Sequence, residues 1–239
     1  MSTLDIDRVR AEFRDRTIHY YPTIDSTMRA AAGCKPGDVV IAGEQTAGQG
    51  RHGHTWYSEP ANGIYCSTVL TPVPALTLAL GLATASAISD VGGVSCDLRW
   101  PNDVLLGGRK VAGVLVQLSG SVAIAGIGIN VNHTELPPEL DAVGTSLRIH
   151  TGREISTTDL LIGLLHRVDR FAAEDRETIL RVFTAASSYA SGRRVRVNQP
   201  EGLIEGTTAG LDPSGFLIVR KDDGTDTLIV AGGVRAAGS

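Results

Sequence analysis

The stretch EQTAGQGRHGHTW, residues 44–56, sets the narrowest limit on the fold. Gly48, Gly50 and Gly53 satisfy G-x-G-x-x-G, the pattern of a dinucleotide-binding turn. Such a turn needs a strand before it and a helix opening inside it, so that the helix N-terminus meets the pyrophosphate. Residues 38–42 (DVVIA) supply the strand. The helix is missing: HTWYSEPANG carries the breakers Pro60, Asn62 and Gly63, and the run after it is rich in strand formers. The context contradicts a doubly wound dinucleotide fold. What remains is a pliable loop between two strands, whose glycines allow close backbone approach to a small ligand. Arg51 offers a two-bond fork for a carboxylate, and Trp56 a flat face for a purine. A plain surface turn with a solvated Arg and a half-buried Trp fits this stretch alone equally well.

The surrounding pattern is α+β. Ile6, Val9 and Phe13 have helical spacing, and TIHYY (17–21) reads as a strand. In DSTMRAAAG, Asp25 or Ser26 is placed to cap a short helix that Gly33 ends. Residues 63–70 read as a strand, and 74–90, almost all Ala, Leu, Thr and Gly, as a buried helix. Residues 98–100, 104–106, 111–118 and 122–129 read as strands. The clearest helix lies between Thr157 and Ala186, with an apolar stripe from Leu160 to Ala172 and a capping-box start at Ser156 and Asp159. From Ser187 onward short alternating runs are broken at QPEG, DPSG and DDG, predicting a small SH3-like β-barrel. Domains are expected at 1–187 and 188–239.

Composition narrows the class. Net charge is −4, which argues against a dedicated nucleic-acid binder. Three scattered cysteines, Cys34, Cys66 and Cys96, make no C-x-x-C and predict free thiols in a reducing compartment. No signal peptide or membrane-spanning run is visible, so a cytoplasmic protein is expected.

Further polar motifs interrupt the apolar strands. RWPNDV (99–104) is a turn presenting polar side chains, and Lys110 opens an otherwise apolar strand. There it either snorkels to solvent or points at an anion. AGIGINVNH (125–133) ends in two amides, Asn130 and Asn132, suited to a ribose or phosphate, or simply to a polar turn.

Taken in order, D-S-T at Asp25, E-Q-T-A-G-x-G-R-x-G-x-x-W at Glu44, W-P-N-D at Trp100, K-x-x-G-x-L at Lys110, G-x-G-x-N-V-N at Gly126 and T-S-L at Thr145 resemble the bacterial biotin protein ligases, also called biotin–(acetyl-CoA-carboxylase) ligases. The motifs span residues 17–147. The resemblance implies a mixed sheet with helices like that of class II aminoacyl-tRNA synthetases, followed by the SH3-like domain. It implies two reactions: biotin and ATP, with Mg²⁺, give biotinyl-5′-AMP, and a lysine of a biotin carboxyl carrier protein domain then takes the biotinyl group. By resemblance Ser26, Thr27, Gln45, Gly48, Gln49, Gly50, Arg51, Lys110 and Gly113 surround biotin. Arg51, Trp56, Arg99, Asn102, Lys110 and Asn130 hold the nucleotide, Arg51 and Lys110 are catalytic, and Asp103 is a candidate metal-holding or amine-orienting residue. Met28, Gln49 and Arg99 depart from the usual Asn, Arg and Lys of the family. The residues ahead of Thr17 are too few for a helix-turn-helix, so a ligase without repressor function is expected, as a monomer or weak homodimer with no nucleic-acid or membrane partner. A lipoate ligase, a non-catalytic sensor and an SH3-like interaction module are the rival readings. The R-x-G-x-x-W loop end and the paired cations Arg51 and Lys110 disfavour the first two, and the six ordered motifs the third.

Overall fold

Apolar strands that must bury two faces need a layer on each side. The computed structural model, which describes residues 4–199 and 202–237, meets this need unequally. Strands Ile18–Ile24 (β1), Val39–Gln45 (β2), Gly63–Leu70 (β3), Asp97–Arg99 (β4), Asp103–Leu106 (β5), Arg109–Ser119 (β6) and Val122–Asn130 (β7) form one sheet in the order β1-β2-β3-β7-β6-β5-β4. Only β1 and β2 pair in parallel; all other neighbours are antiparallel.

Helices Ile6–Glu12 (α1), Thr27–Ala31 (α2), Leu76–Gly92 (α3), Pro138–Asp141 (α4), Leu147–Thr151 (α5), Thr157–Ala172 (α6) and Arg176–Ala186 (α7) complete the body. Alternate strand residues share a face. Val39, Ile41, Ile64, Cys66, Val114, Ala125 and Ile127 turn to one side and join the large core built with α1, α3, α6 and α7. Leu160, Leu161, Leu164, Leu165 and Val168 of α6 are fully buried there, each contributing about 1.5–3 kcal/mol. Val40, Val69 and Ile124 turn to the other side, where only the short α2 covers them with Met28 and Ala31. Most of the second face is left for other uses.

Three expectations are corrected. The helix between Thr157 and Ala186 is two helices: α6 ends at Ala172, and Asp175 caps α7 by accepting a bond from the Thr178 backbone N–H at 2.9 Å. At α2, Ser26 holds the N-cap position, but neither it nor Asp25 caps through its side chain. The Asp25 carboxylate instead takes the Ser26 N–H and pairs with Arg29. The short α4 and α5 were not anticipated. Ser156, as expected, caps α6 through the Asp159 N–H.

Strands Ser191–Gln199 (β8), Gly202–Leu211 (β9), Leu217–Arg220 (β10), Asp226–Ile229 (β11) and Gly233–Ala236 (β12) form a second, antiparallel sheet ordered β11-β10-β9-β8-β12. Pro200 and Glu201 of the expected QPEG turn lie outside the described residues. This sheet is tied to the body by the Trp100 indole N–H, which donates to Gly215 O, in the turn between β9 and β10, at 2.9 Å. Among the described residues no helix is long and apolar enough to cross a membrane.

Candidate active site

The site begins with side chains that are missing. Gly113 on β6 pairs with Gly128 on β7, and Gly126 lies between Ser67 and Leu115. All three glycines sit on the thinly covered face and leave a trough in it. Trp56 and Met28 fill part of that trough. A Cβ at Gly128 would lie 2.4 Å from Trp56 Cε2, and one at Gly126 would lie 2.6 Å from Met28 Sδ. The space that remains is a cavity of about 50 Å³, walled by Thr27, Gln45, Gln49, Gly50, Arg51 and Lys110 among others.

One wall is a continuous hydrogen-bond chain. The first N–H of a helix has no partner within the helix. For α2 that group, Thr27 N–H, donates to Gln45 Oε1 at the end of β2, at 2.9 Å. Thr27 Oγ1 donates to the same oxygen and accepts from Ser67 Oγ at 2.8 Å. Gln45 Nε2 donates to Ser58 Oγ, which donates on to Trp56 O. Ser26 is fully buried and its hydroxyl has no partner, an arrangement that costs about 1–3 kcal/mol if nothing binds it.

The glycine loop closes over the trough as a small hairpin. Trp56 N–H donates to Gly48 O at 2.9 Å, and Gly50 N–H donates to His54 O at 2.7 Å. A 3-10 turn, Arg51–Gly53, forms the tip, with His52 and Gly53 at positive φ. Gly48 is required because a Cβ there would meet Trp56 O at 2.7 Å. Arg51 is half-buried and donates to Asn102 Oδ1 at 3.0 Å. Asn102 Nδ2 in turn donates to Val114 O, which fixes the orientation of the amide. Burial lowers the pKa of Arg51, and the Asp103 charge works against that.

Beside the trough lies a charge cluster. Lys110 Nζ is 2.6 Å from Asp103 Oδ1, and Arg99 Nη2 is 2.6 Å from Asp103 Oδ2. Burial pushes the Asp103 pKa up, but Lys110 and Arg99 more than offset this and hold it below the usual carboxylate value. The Lys110 ammonium also lies 5.2 Å from the centre of the Trp56 ring. A second cavity, about 290 Å³, opens here between Trp56, Arg99, Asp103, Lys110, Asn130 and Arg235. Among the described residues, only Trp56 and Lys110 line both cavities.

The chain thus brings Thr27, Gln45, Gln49, Gly50, Arg51, Trp56, Asn102, Lys110 and Gly113 to one cavity, and Arg99, Asp103 and Asn130 to the other. Ser26 and Gly48 stand behind the walls. Asp103 has a cation at each oxygen, Lys110 at Oδ1 and Arg99 at Oδ2. One reading changes. Asn132 does not face a ligand; its amide donates to Ile155 O and accepts from Ile155 N–H, clamping the start of α6. Sequence reasoning missed Ser58, Ser67, Gly126, Gly128 and Arg235 as site residues. The glycines were legible as a period-two pair on one strand, whereas Arg235, on β12 of the second sheet, gave no local signal.

The Biotin/lipoate A/B protein ligase family model matches residues 20–133, and the biotin protein ligase C-terminal domain model matches 190–234. The biotin–(acetyl-CoA-carboxylase) ligase of Mycobacterium tuberculosis is 35% identical over 87% of this chain and 82% of its own length. The bifunctional ligase/repressor of Bacillus subtilis is 30% identical over 90% of this chain and 73% of its own. Among solved structures, the Aquifex aeolicus biotin protein ligase in complex with biotin and ATP superposes with a TM-score of 0.84 at 30% identity, covering 92% of this chain and 99% of that one. With this sheet, this glycine-floored trough and these relatives, the chain belongs to the biotin protein ligase family.

Proposed function

We propose that the chain activates biotin with ATP as biotinyl-5′-AMP and passes the biotinyl group to a lysine of a carboxyl carrier domain. The observation that carries this reading is the sharing of Lys110 and Trp56 by two adjoining cavities. A carboxylate at the end of one then meets a phosphate entering the other, with Lys110 at the junction. Two anions approach only where fixed cations offset their repulsion. Arg51, Arg99, Lys110 and Arg235 stand here against Asp103 alone.

In the first step a biotin carboxylate oxygen bonds to the α-phosphorus, and the bond from that phosphorus to the β-bridging oxygen breaks, releasing pyrophosphate. In the second, a carrier lysine amine attacks the carbonyl, AMP leaves, and the amine gives up a proton. The Thr27–Gln45–Ser58 chain, with its amide and hydroxyls at the wall, suits a ureido ring better than an apolar dithiolane. The small cavity holds only one or two waters. Biotin entry therefore displaces Trp56 and Met28 from the trough and frees the indole to stack on adenine. Asn102, with both ends of its amide engaged, serves by holding Arg51. Asp103 serves by fixing Lys110 and Arg99. The residues here do not fit a magnesium ligand set, since Asp103, the one carboxylate among the described residues lining either cavity, is paired with Lys110 and Arg99.

The carrier has a place to dock. β5 leaves β6 at Gly113, so beyond the bond from Val114 N–H to Asn102 O the outer edge of β6 has no ladder partner among the described residues. Leu118 on this edge is 74% exposed. An open edge accepts an added strand, and this one runs away from the trough that Arg51 covers.

The test is pyrophosphate release by purified protein with ATP and magnesium, comparing biotin with lipoate, then transfer to a carrier domain. Biotin-dependent release is expected, and release driven equally by lipoate would overturn the choice of acid. Arg51→Gly is expected to leak biotinyl-5′-AMP and label bystander lysines. Retention of the intermediate as in the unaltered enzyme would show that the loop is not the lid.

A further inference from the structure

Outside the active site, His19, Cys34 and Asp38 come together on the far side of α2. We propose that these three side chains form a binding site for a divalent transition-metal ion of the zinc class. Their donor atoms all lie within 4.8 Å of one another. A tetrahedral zinc with bonds of about 2.0–2.3 Å separates its ligands by roughly 3.3–3.8 Å. His19 Nε2 and Asp38 Oδ2 already stand 3.5 Å apart. That distance is poor for a hydrogen bond but right for two ligands of one ion, and Cys34 Sγ needs to close by no more than about 1 Å, within reach of a χ1 adjustment.

The fold explains the convergence. Parallel pairing sets His19 of β1 opposite Val40 of β2, which brings Asp38, just ahead of β2, beside the imidazole. Cys34 follows α2 in a turn anchored by its N–H to Ala31 O. Asp38 is oriented by the Lys35 N–H at 3.1 Å, the kind of supporting bond that metal-binding carboxylates carry. All three groups are partly exposed, so a fourth position is open to water, as in three-ligand zinc sites.

The donor set selects the metal. A thiolate with an imidazole favours zinc or cobalt over magnesium or calcium. Burial and the nearby Asp38 charge raise the Cys34 thiol pKa, and a bound cation reverses that balance by expelling the thiol proton. Of the basic residues lining the adjacent groove, Arg16 is committed to Asp169 and Arg14 to Ala11 O, which leaves Lys35 as the nearby opposing charge. None of the three ligands lines either active-site cavity.

Cobalt(II) titration of the purified chain tests the site, because a cobalt–thiolate bond gives a near-ultraviolet charge-transfer band. Cys66 and Cys96, both pushed up to about 12 by burial, are poor candidates to supply it. The band is expected in the unaltered protein, absent from Cys34→Ser, abolished by added zinc, and shifted to at least tenfold higher cobalt in His19→Ala. Biotin-dependent pyrophosphate release should stay unchanged in His19→Ala and Cys34→Ser, so failure here and failure of the ligase reading are distinct results. Melting curves without metal show whether each variant is folded. Asp38→Asn keeps an oxygen that can accept the Lys35 N–H and ligate a metal, so the other two variants decide. No band in the unaltered protein, a band that persists in Cys34→Ser, or an unshifted titration in His19→Ala overturns the site.

Discussion

The two faces of the seven-stranded sheet are made of the same strands and put to opposite uses. On one, alternate residues such as Ile41, Ile64, Ala125 and Ile127 pack against α3 and α6 with almost no exposure. On the other, the same strands carry Gly113, Gly126 and Gly128, and polar groups fill the ground the apolar ones left. One face holds the fold; the other holds charges and hydroxyls that a packed core would not tolerate unpaired. The lesson is that β6 and β7 switch use every second residue. A one-residue slip in their register would exchange the faces and abolish both.

The largest expected effect belongs to the open face. Lys110→Ala removes the cation at the junction of the two cavities and leaves Asp103 with Arg99 alone. Biotin-dependent pyrophosphate release should fall about 10²–10³-fold, the usual consequence of losing one transition-state contact. A folded variant with normal release would mean that the cluster is structural and the two faces are less distinct than they look.

Next comes Gly128→Ala. Its methyl, 2.4 Å from Trp56 Cε2 as the indole now lies, takes up floor space that biotin needs once the indole has moved out. The KM for biotin should rise about 10- to 100-fold, in line with the 1–3 kcal/mol typical of overpacking. An unchanged KM would show that biotin does not reach the floor at Gly128.

How much of this contrast could be read from the sequence follows from the range of each signal. Strand β3 was placed at its observed bounds, because Asn62 and the Thr-Pro after Leu70 punctuate a run of strand formers. Arg51 and Lys110 could be named as candidates because they sit in local motifs, and both line the trough cavity. The break between α6 and α7 was hidden, since Ala172, Ala173 and Glu174 are adequate helix formers and only the Asp175 cap marks the restart. The Gly-x-Gly of β7 was visible as a motif. That its glycines form a floor depends on the pairing with Gly113, which no local window contains. Asn102 shows the same limit. The family resemblance implies a nucleotide contact for it, while its partners, Arg51 and Val114 O, come from other elements of the chain.

A smaller effect is expected on the packed face. Ile88 of α3 is fully buried in the core beneath the sheet. Ile88→Val deletes one methylene and should lower stability by about 1 kcal/mol. Urea unfolding measures this, and the KM for biotin should not move. A changed KM would couple the two faces through the strands and weaken the division of labour.

The smallest effect concerns a polar group buried just beyond β7 without a hydrogen-bond partner among the described residues. His133 follows β7 and is fully buried; neither ring nitrogen makes a hydrogen bond, and Nε2 lies 3.9 Å from Glu59 Oε2. Burial lowers its pKa below the ordinary 6.5, and Glu59 only partly opposes this. The unfolded chain therefore takes up a proton at a pH where the folded one does not. Stability is lost as pH falls from about 6.5 through the folded pKa, with a slope of at most ~1.4 kcal/mol per pH unit from this group. His133→Leu removes the group, so its unfolding free energy should depend less on pH across that window than that of the unaltered protein. Equal slopes in urea unfolding at pH 7 and pH 5.5 would mean that Glu59 turns inward to pair with the imidazolium.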